Sequence, residues 1–244
     1  AGTGSESTHF AVVYLEKIKY SVSADFLTPD MAILDSELII SNSPKQKAFN
    51  GLDALAQAIE SHWAAGSNKE SRSYSRKAIP TLYKFLPKVV AGDAEKNDYQ
   101  KFMFAANLAG KAINISKTTS PHAFSYSFTS KYGIPHGHAV WLTLPKIFEI
   151  HLNTFDINKL NLKSYEGFRD SLTEILSLLD IKEDRLLIEL NKLLVNLGLE
   201  FSMEKLGLSS KSARREIAND VNLERLKNNP VSLSEKDIQE IFNL

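Results

Sequence analysis

Residues 51–60 read Gly51-Leu-Asp-Ala-Leu-Ala-Gln-Ala-Ile-Glu60, and their high content of Ala and Leu favours a helix. Side chains four positions apart lie on one face of a helix, so Asp53 and Gln57 project together beside apolar neighbours that would bury them. A carboxylate and an amide oxygen on one face can share a cation. The same pair is also typical of a solvated helix surface, and from this segment alone both interpretations stay open.

Helical periodicity begins near Ser43 and continues to the end of the sequence. We expect Pro80 to bend or break the second of these helices, because an internal proline removes a backbone donor. The Leu-rich, charged sequence from residue 155 onward is typical of a bundle core with solvated faces, and we assign it no chemistry. The predicted helices cover 46–64, 68–90, 94–117, 121–131, 136–151, 164–180, 183–197, 211–219 and 235–243.

The sequence before this helical region is β-prone. Residues 9–14 and 17–23 are predicted to form a hairpin joined by Leu15-Glu16, and Met31-Ala-Ile-Leu-Asp35 is predicted to be one more short buried strand. The fold class is therefore predicted to be mainly α. A short β region, residues 1–42, precedes an all-helical domain, residues 43–244.

Composition narrows the classes of function. Lys plus Arg and Asp plus Glu are 29 each, so no net charge attracts nucleic acid or an anionic membrane surface. The absence of cysteine excludes thiolate metal sites, disulfides and a cysteine nucleophile, and it fits a reducing compartment. No apolar stretch approaches the roughly 20 residues that cross a bilayer. We expect a cytoplasmic protein whose partner is a small polar molecule, with no nucleic acid or membrane partner.

Two histidines each follow a proline, in Pro121-His122 and in Ile134-Pro135-His136. A proline at a helix start fixes the entry geometry, so each imidazole is expected in a first helical turn. One short helix, ended by Gly133, can bring the two rings toward a common centre. Two imidazoles and one carboxylate suit Fe²⁺ or Zn²⁺. The alternative is that both are capping or core histidines.

Four stretches, in this order and spacing, resemble the iron-containing alcohol dehydrogenase family. They are Ala1-Gly-Thr-Gly-Ser-Glu6; Lys19-Tyr20 with Pro29-Asp-Met-Ala-Ile-Leu-Asp35; Gly51-Leu-Asp-Ala-Leu; and His122 with Pro135-His136-Gly137. The resemblance covers roughly residues 1 to 150 by motif. The family fold is an α/β nucleotide-binding domain followed by an all-helical domain. The resemblance therefore implies that residues 1–42 are a remnant of the nucleotide-binding domain, and that the chain begins inside a larger protein.

The resemblance also implies the site residues and their partners. Asp53, His122 and His136 would bind a divalent metal, Fe²⁺ in preference to Zn²⁺, and Gln57 stands where many members have a fourth ligand, a histidine. Tyr126 stands where many members have a histidine that assists proton transfer. The family is commonly homodimeric. The residues that would lie along NAD(H) or NADP(H) are Gly2, Thr3, Ser5 and Lys19.

The expected function is that of a metal-dependent, NAD(P)-linked alcohol dehydrogenase or aldehyde reductase acting on a small substrate. The motifs look most similar to the branch that reduces phosphonoacetaldehyde. His138 would supply a catalytic donor, or a cation for an anionic substrate, and its alternative role is that of a supporting or surface histidine. Two alternatives for the whole chain are a lyase similar to dehydroquinate synthase and a non-catalytic helical module retained from such an enzyme.

Overall fold

The structure is a computed structural model that describes residues 2–15, 18–162, 164–221 and 226–244. It is mainly helical, as predicted, with one two-stranded antiparallel sheet in the described part. The strands are β1 (Phe10–Leu15) and β2 (Ile18–Ser23). The helices are α1 (Glu37–Ile40), α2 (Pro44–Trp63), α3 (Lys69–Ala91), α4 (Lys96–Ser116), α5 (Ser120–Tyr132), α6 (His136–Trp141), α7 (Leu144–Leu152), α8 (Tyr165–Leu179), α9 (Leu186–Asn196), α10 (Lys211–Asn219) and α11 (Glu235–Phe242).

The chain forms two compact units. The first comprises Ala1–His62 and Gly66–Lys117, and the second comprises Trp63–Ala65 and Thr118–Leu244. The first unit therefore holds the sheet together with helices of the predicted helical domain. The predicted boundary separates a remnant of a nucleotide-binding domain, residues 1–42, from an all-helical domain, residues 43–244. It divides the chain by origin rather than by compactness, and it stays a prediction.

The predicted hairpin is confirmed. Phe10 pairs with Ser23 and Leu15 with Ile18 in an antiparallel register, and Glu16 of the predicted link lies outside the described residues. The predicted strand at 31–35 is wrong. These residues have no regular secondary structure, and the side chains of Met31 and Ile33 are largely exposed. A strand needs a neighbouring edge for its backbone groups, and the described chain pairs none with this segment.

α3 is one continuous helix that contains Pro80, so the predicted break is wrong, and the alternative of a bend stays a prediction. An internal proline costs about 3 kcal/mol. The opposing contribution is burial of a long apolar stripe, since a large aliphatic side chain contributes about 1.5–3 kcal/mol when buried. The stripe runs past the proline, and α3 packs along α4. Asn68 caps the start of the helix by accepting hydrogen bonds from the backbone N–H groups of Glu70 and Ser71.

In the second unit the predicted helix 136–151 is two helices, α6 and α7. Pro145 explains the division. A helix continued from Trp141 would bring the proline ring against the carbonyl four residues earlier, whereas in the first turn of a new helix the missing N–H costs nothing. Phe124, Phe128 and Phe242 then pack ring against ring in an apolar cluster.

Buried polar contacts join the start of α5, and the residues just before it, to the C-terminal region. Ser120 Oγ donates to Asn229 Oδ1 (2.8 Å), and Asn229 Nδ2 contacts His151 Nε2 (3.1 Å). Asn228 Nδ2 donates to the Thr118 carbonyl (2.9 Å). The start of α5 is therefore held by side chains about 110 residues away in sequence. In the described residues, every helix is too short or too polar to cross a membrane.

Candidate metal centre

The α2 face that carries Asp53 and Gln57 is buried. Asp53 is 8% exposed and Gln57 is 7% exposed, and Leu52, Leu55 and Ile59 beside them are fully buried. Gln57 Nε2 donates to Asp53 Oδ2 at 2.9 Å, as the spacing of four residues allows. The solvated-surface interpretation of this pair is therefore wrong.

Gln57 also has an unsatisfied acceptor. Its Oε1 is buried and has no hydrogen-bond partner, while its amide nitrogen is committed to Asp53. A buried oxygen left without a partner costs about 1–3 kcal/mol. A cation within coordinating distance of this oxygen would satisfy it. The polar chemistry of this face thus fits a metal ion, with an amide oxygen in place of a further imidazole.

The two predicted histidines lie at helix starts, as expected. His122 follows Pro121 in the first turn of α5, and His136 is the first residue of α6, directly after Pro135. Gly133, with φ of 67°, ends α5 in the left-handed conformation that glycine adopts without strain, and so turns the chain between the helices. The two imidazole rings lie edge to face, with centroids 5.3 Å apart.

Asp53, His122 and His136 form a group that could hold a metal ion. Each offers one ligand atom, and these atoms lie within 4.8 Å of one another. A carboxylate oxygen and two imidazole nitrogens leave open positions on a divalent cation, which is typical of catalytic sites. The convergence of one acid and two histidines that the sequence predicted is therefore present.

Tyr126 and His138 are the predicted catalytic residues beside this group. The Tyr126 ring stacks on the His136 ring, with centroids 6.4 Å apart. His138 is buried, its Nε2 is hydrogen-bonded to the Glu200 carbonyl, and burial lowers its pKa below the usual value. His138 is thus neutral at pH 7, and the nitrogen that faces Glu200 is already used as a donor. A proton-relay role stays a prediction, and a role as a substrate-binding cation is disfavoured.

The predicted cofactor loop is held against α4. Backbones of Gly4 and Gly110 approach so closely that a Cβ on either residue would collide with the other segment. Asn107 Nδ2 donates to Glu6 Oε1 at 3.0 Å, and the His9 N–H donates to Asn114 Oδ1 at 2.8 Å. The sequence of the loop alone could not predict these hydrogen bonds, because the partners Asn107 and Asn114 lie about 100 residues away in sequence.

Within the loop, Gly2 has a φ of 92°, a conformation that favours glycine. The Thr3 hydroxyl donates to the Ser5 hydroxyl at 3.2 Å, and Ser5 begins a turn of 3-10 helix. Lys19 pairs with Tyr14 in the hairpin, and its side chain lies outside the described part of the structure. The predicted cofactor role of these four residues stays a prediction.

A family model, "Fe-containing alcohol dehydrogenase family, C-terminal", matches residues 47–244. The chain is 27% identical to long-chain-alcohol dehydrogenase 1 of Geobacillus thermodenitrificans over 99% of its own length and 60% of that protein. It is 32% identical to phosphonoacetaldehyde reductase of Streptomyces viridochromogenes over 60% of the chain and 38% of that protein. Sulfoacetaldehyde reductase of Bifidobacterium kashiwanohense, solved with NAD+, superposes with a TM-score of 0.84 and 30% identity, covering 99% of this chain and 61% of that one. The chain thus spans about 60% of the length of the relatives that it matches end to end.

Proposed function

Because the chain belongs to the iron-containing alcohol dehydrogenase family, we propose that it is the metal-binding part of an NAD(P)-linked alcohol dehydrogenase or aldehyde reductase. The observation that carries the proposal is the group formed by Asp53, His122 and His136. The matched relatives are named for oxidoreductases that act on alcohols or aldehydes. In this proposal residues 1–42 derive from the nucleotide-binding domain, and residues 43–244 form the catalytic helical domain.

Asp53, His122 and His136 would hold the metal ion, and the unpartnered Gln57 Oε1 would complete its protein ligands. We assign Fe²⁺ in preference to Zn²⁺, in keeping with the family. When bound, the ion supplies Lewis-acid polarisation of the substrate oxygen, and the nicotinamide supplies or accepts the hydride. Gln57 weakens the set relative to a third imidazole, because an amide oxygen is the poorer ligand for Fe²⁺ or Zn²⁺.

The other candidate side chains would transfer a proton to the substrate or bind and orient the cofactor. Tyr126, stacked on the His136 ring, is the residue that we propose to pass a proton to the substrate oxygen. A phenol can donate a hydrogen bond to the substrate oxygen or relay a proton, and its unperturbed pKa of about 10 makes it a poor base at pH 7. The loop with Gly2, Thr3 and Ser5 would contact the cofactor, and Lys19 would lie alongside it.

For the substrate, we propose a small aldehyde, and within that class one that carries an anionic phosphonate or sulfonate group. Two relatives, phosphonoacetaldehyde reductase and sulfoacetaldehyde reductase, support this class by name and by identities of about 30%. Because burial lowers the pKa of His138 and its Nε2 is hydrogen-bonded to the Glu200 carbonyl, we propose that another residue supplies the cation that pairs with the anionic group. We further propose that the protein is cytoplasmic and forms a homodimer, and light scattering of the purified protein would test the dimer.

The metal assignment is tested by replacing one oxygen ligand. Asp53→Asn keeps the shape of the side chain and removes its charge, whereas Asp170→Asn makes the same change at an exposed position of α8. After reconstitution with Fe²⁺, elemental analysis should find close to one ion per chain in the wild type and in Asp170→Asn, and far less in Asp53→Asn. Equal metal content in all three proteins would reject the site. Absence of metal from the wild type would favour a non-catalytic helical module.

The activity is tested with NAD(P)H and a panel of aldehydes. We expect consumption of the reduced cofactor, with phosphonoacetaldehyde or sulfoacetaldehyde preferred in kcat/KM over an uncharged aldehyde of similar length. A preference for the uncharged aldehyde would reject the anionic substrate class while leaving the reductase assignment intact. Turnover of a sugar-acid phosphate without net change in the cofactor would instead identify a lyase similar to dehydroquinate synthase.

A further inference from the structure

Ser125 lies between the two candidate histidine ligands. It is fully buried on α5, three residues after His122. Its Oγ donates a hydrogen bond to the backbone carbonyl of His122 at 2.7 Å. The same Oγ lies 3.2 Å from Nδ1 of His136, which belongs to the next helix. One hydroxyl group therefore contacts both residues.

The direction of the second hydrogen bond follows from proton counting. A serine hydroxyl has one hydrogen to donate and two lone pairs that accept. Because Ser125 uses its hydrogen at the His122 carbonyl, it must act as the acceptor toward His136. Nδ1 of His136 then carries the ring proton of the neutral imidazole. Nε2 is left with the lone pair that a metal ligand requires.

We propose that Ser125 is a positioning residue that sets the tautomer and the ring orientation of His136 for metal binding. The inference rests on the proposed function, since it assumes that His136 is a ligand. Ligand histidines are generally held by a hydrogen bond at the nitrogen that does not face the ion, and loss of that partner typically weakens metal affinity by 10–100-fold. The hydroxyl of Ser125 supplies this hydrogen bond.

A purely local role for Ser125 makes a different prediction. Serine in a helix often donates to a carbonyl three or four residues earlier, with little consequence beyond the helix. The contact with His136 is what separates the two roles, because it joins two helices at a ligand. Ser127 on the same helix offers a matched comparison. It is also buried and hydrogen-bonded, but its Oγ donates to the Asp220 carboxylate at 2.6 Å.

The experiment compares Ser125→Ala, Ser125→Thr and Ser127→Ala with the wild type. Co²⁺ serves as the probe, because its visible absorption reports the geometry and the nitrogen ligands of the ion, and competition with a chelator gives the affinity. Ser125→Ala should bind Co²⁺ about 10–100-fold more weakly, with an altered spectrum. Ser125→Thr keeps the hydroxyl and should restore the spectrum. Ser127→Ala should match the wild type in affinity and spectrum.

The outcomes separate this inference from the proposed function. If the wild type binds Co²⁺, His136→Ala does not, and folded Ser125→Ala matches the wild type in affinity and spectrum, the role of Ser125 is overturned and the metal site stands. If wild type and His136→Ala bind Co²⁺ equally, or neither binds, both proposals fail. Equal weakening in Ser125→Ala and Ser127→Ala would mean a general loss of helix packing, and would also overturn the positioning role.

Discussion

His136 and His151 lie on neighbouring helices of the second unit, and their surroundings differ in every respect that matters for chemistry. His136 begins α6, is only partly buried, and faces the imidazole of His122 and the hydroxyl of Ser125. His151 lies near the end of α7 and is fully buried. Its ring packs edge to face against the ring of Trp63, with centroids 4.8 Å apart.

The hydrogen bonds of the two rings differ as well. Asn229 Nδ2 contacts His151 Nε2, and the other amide atom of Asn229 accepts from Ser120, so the orientation of the amide makes Nε2 an acceptor. The proton of His151 therefore sits on Nδ1, which has no hydrogen-bond partner. Burial lowers the pKa of His151 to about 3, so this ring is neutral at all physiological pH values.

The comparison shows that the surroundings of a histidine, rather than its residue type, make it a candidate metal ligand. The capping-or-core alternative for the two proline-linked histidines describes His151 well: a neutral ring in an apolar setting with one amide partner. His136 instead shares its surroundings with a second imidazole and a carboxylate. Four predictions, in order of decreasing effect, test this division.

The largest effect is expected at the candidate ligands. His122→Ala and His136→Ala should each lower Co²⁺ affinity by more than about 100-fold, beyond the effect of removing an outer partner. His151→Asn should leave the affinity unchanged, because its ring belongs to the core. Competition with a chelator measures all three. Loss of metal binding in folded His151→Asn would erase the distinction between the two histidines.

Asn229→Ala should reduce stability strongly. It leaves Ser120 Oγ, His151 Nε2 and the Val231 carbonyl without a side-chain partner in a buried region. At about 1–3 kcal/mol for each unsatisfied group, we expect a loss of about 3 kcal/mol or more in the free energy of unfolding. Urea denaturation followed by circular dichroism measures it. Asn158→Ala, at an exposed position, is the control and should change stability by less than about 0.5 kcal/mol. Similar losses in both variants would contradict the network.

His151 should make the protein less stable in mild acid. Its pKa of about 3 in the folded state lies below the value of about 6.5 in the unfolded chain, so below pH 6.5 the unfolded chain binds the extra proton. The negative charge of Asp237 opposes this shift only in part. The loss grows as the pH falls from 6.5 toward 3, and it reaches about 2 kcal/mol at pH 5.

The measurement is urea denaturation at pH 7 and pH 5 for the wild type and for His151→Asn. The variant has no group to protonate at this position, so the difference between the two pH values should shrink by about 2 kcal/mol. An unchanged difference would show that the His151 ring is not held neutral by burial.

The smallest effect is expected from Gln57→His, which adds an imidazole to the α2 face beside Asp53. If neighbours decide the role of a histidine, the new ring should act like His136 rather than like His151. Imidazole is a better ligand for Zn²⁺ than an amide oxygen, so we expect about tenfold tighter binding of Zn²⁺. Gln57→Ala is the control and should bind more weakly than the wild type. Weaker binding in Gln57→His than in Gln57→Ala would count against Gln57 lying at the site.

Local sequence patterns predicted the hairpin, most of the helices and the group of Asp53, His122 and His136, whereas the role of Gln57 as a ligand stays a prediction. The Asp53 and Gln57 pair depends on helical spacing alone, and each proline before a histidine marks a helix start regardless of the rest of the chain. The two failures arise where contacts between segments distant in sequence decide the outcome. The segment 31–35 has strand-like residues, but no neighbouring strand edge pairs with it in the described chain. Pro80 is a residue that usually breaks a helix, but here it lies inside a helix that packing stabilises.

The sequence by itself determined the secondary structure near the site and the kinds of ligand atoms available, because backbone preferences and helical periodicity act over a few residues. Only the tertiary structure decided that Ser125 reaches His136, that Asn229 holds His151, and that Gln57 Oε1 lacks a partner. Such contacts depend on how helices distant in sequence pack together. Packing is set by the sum of many weak interactions rather than by any single motif.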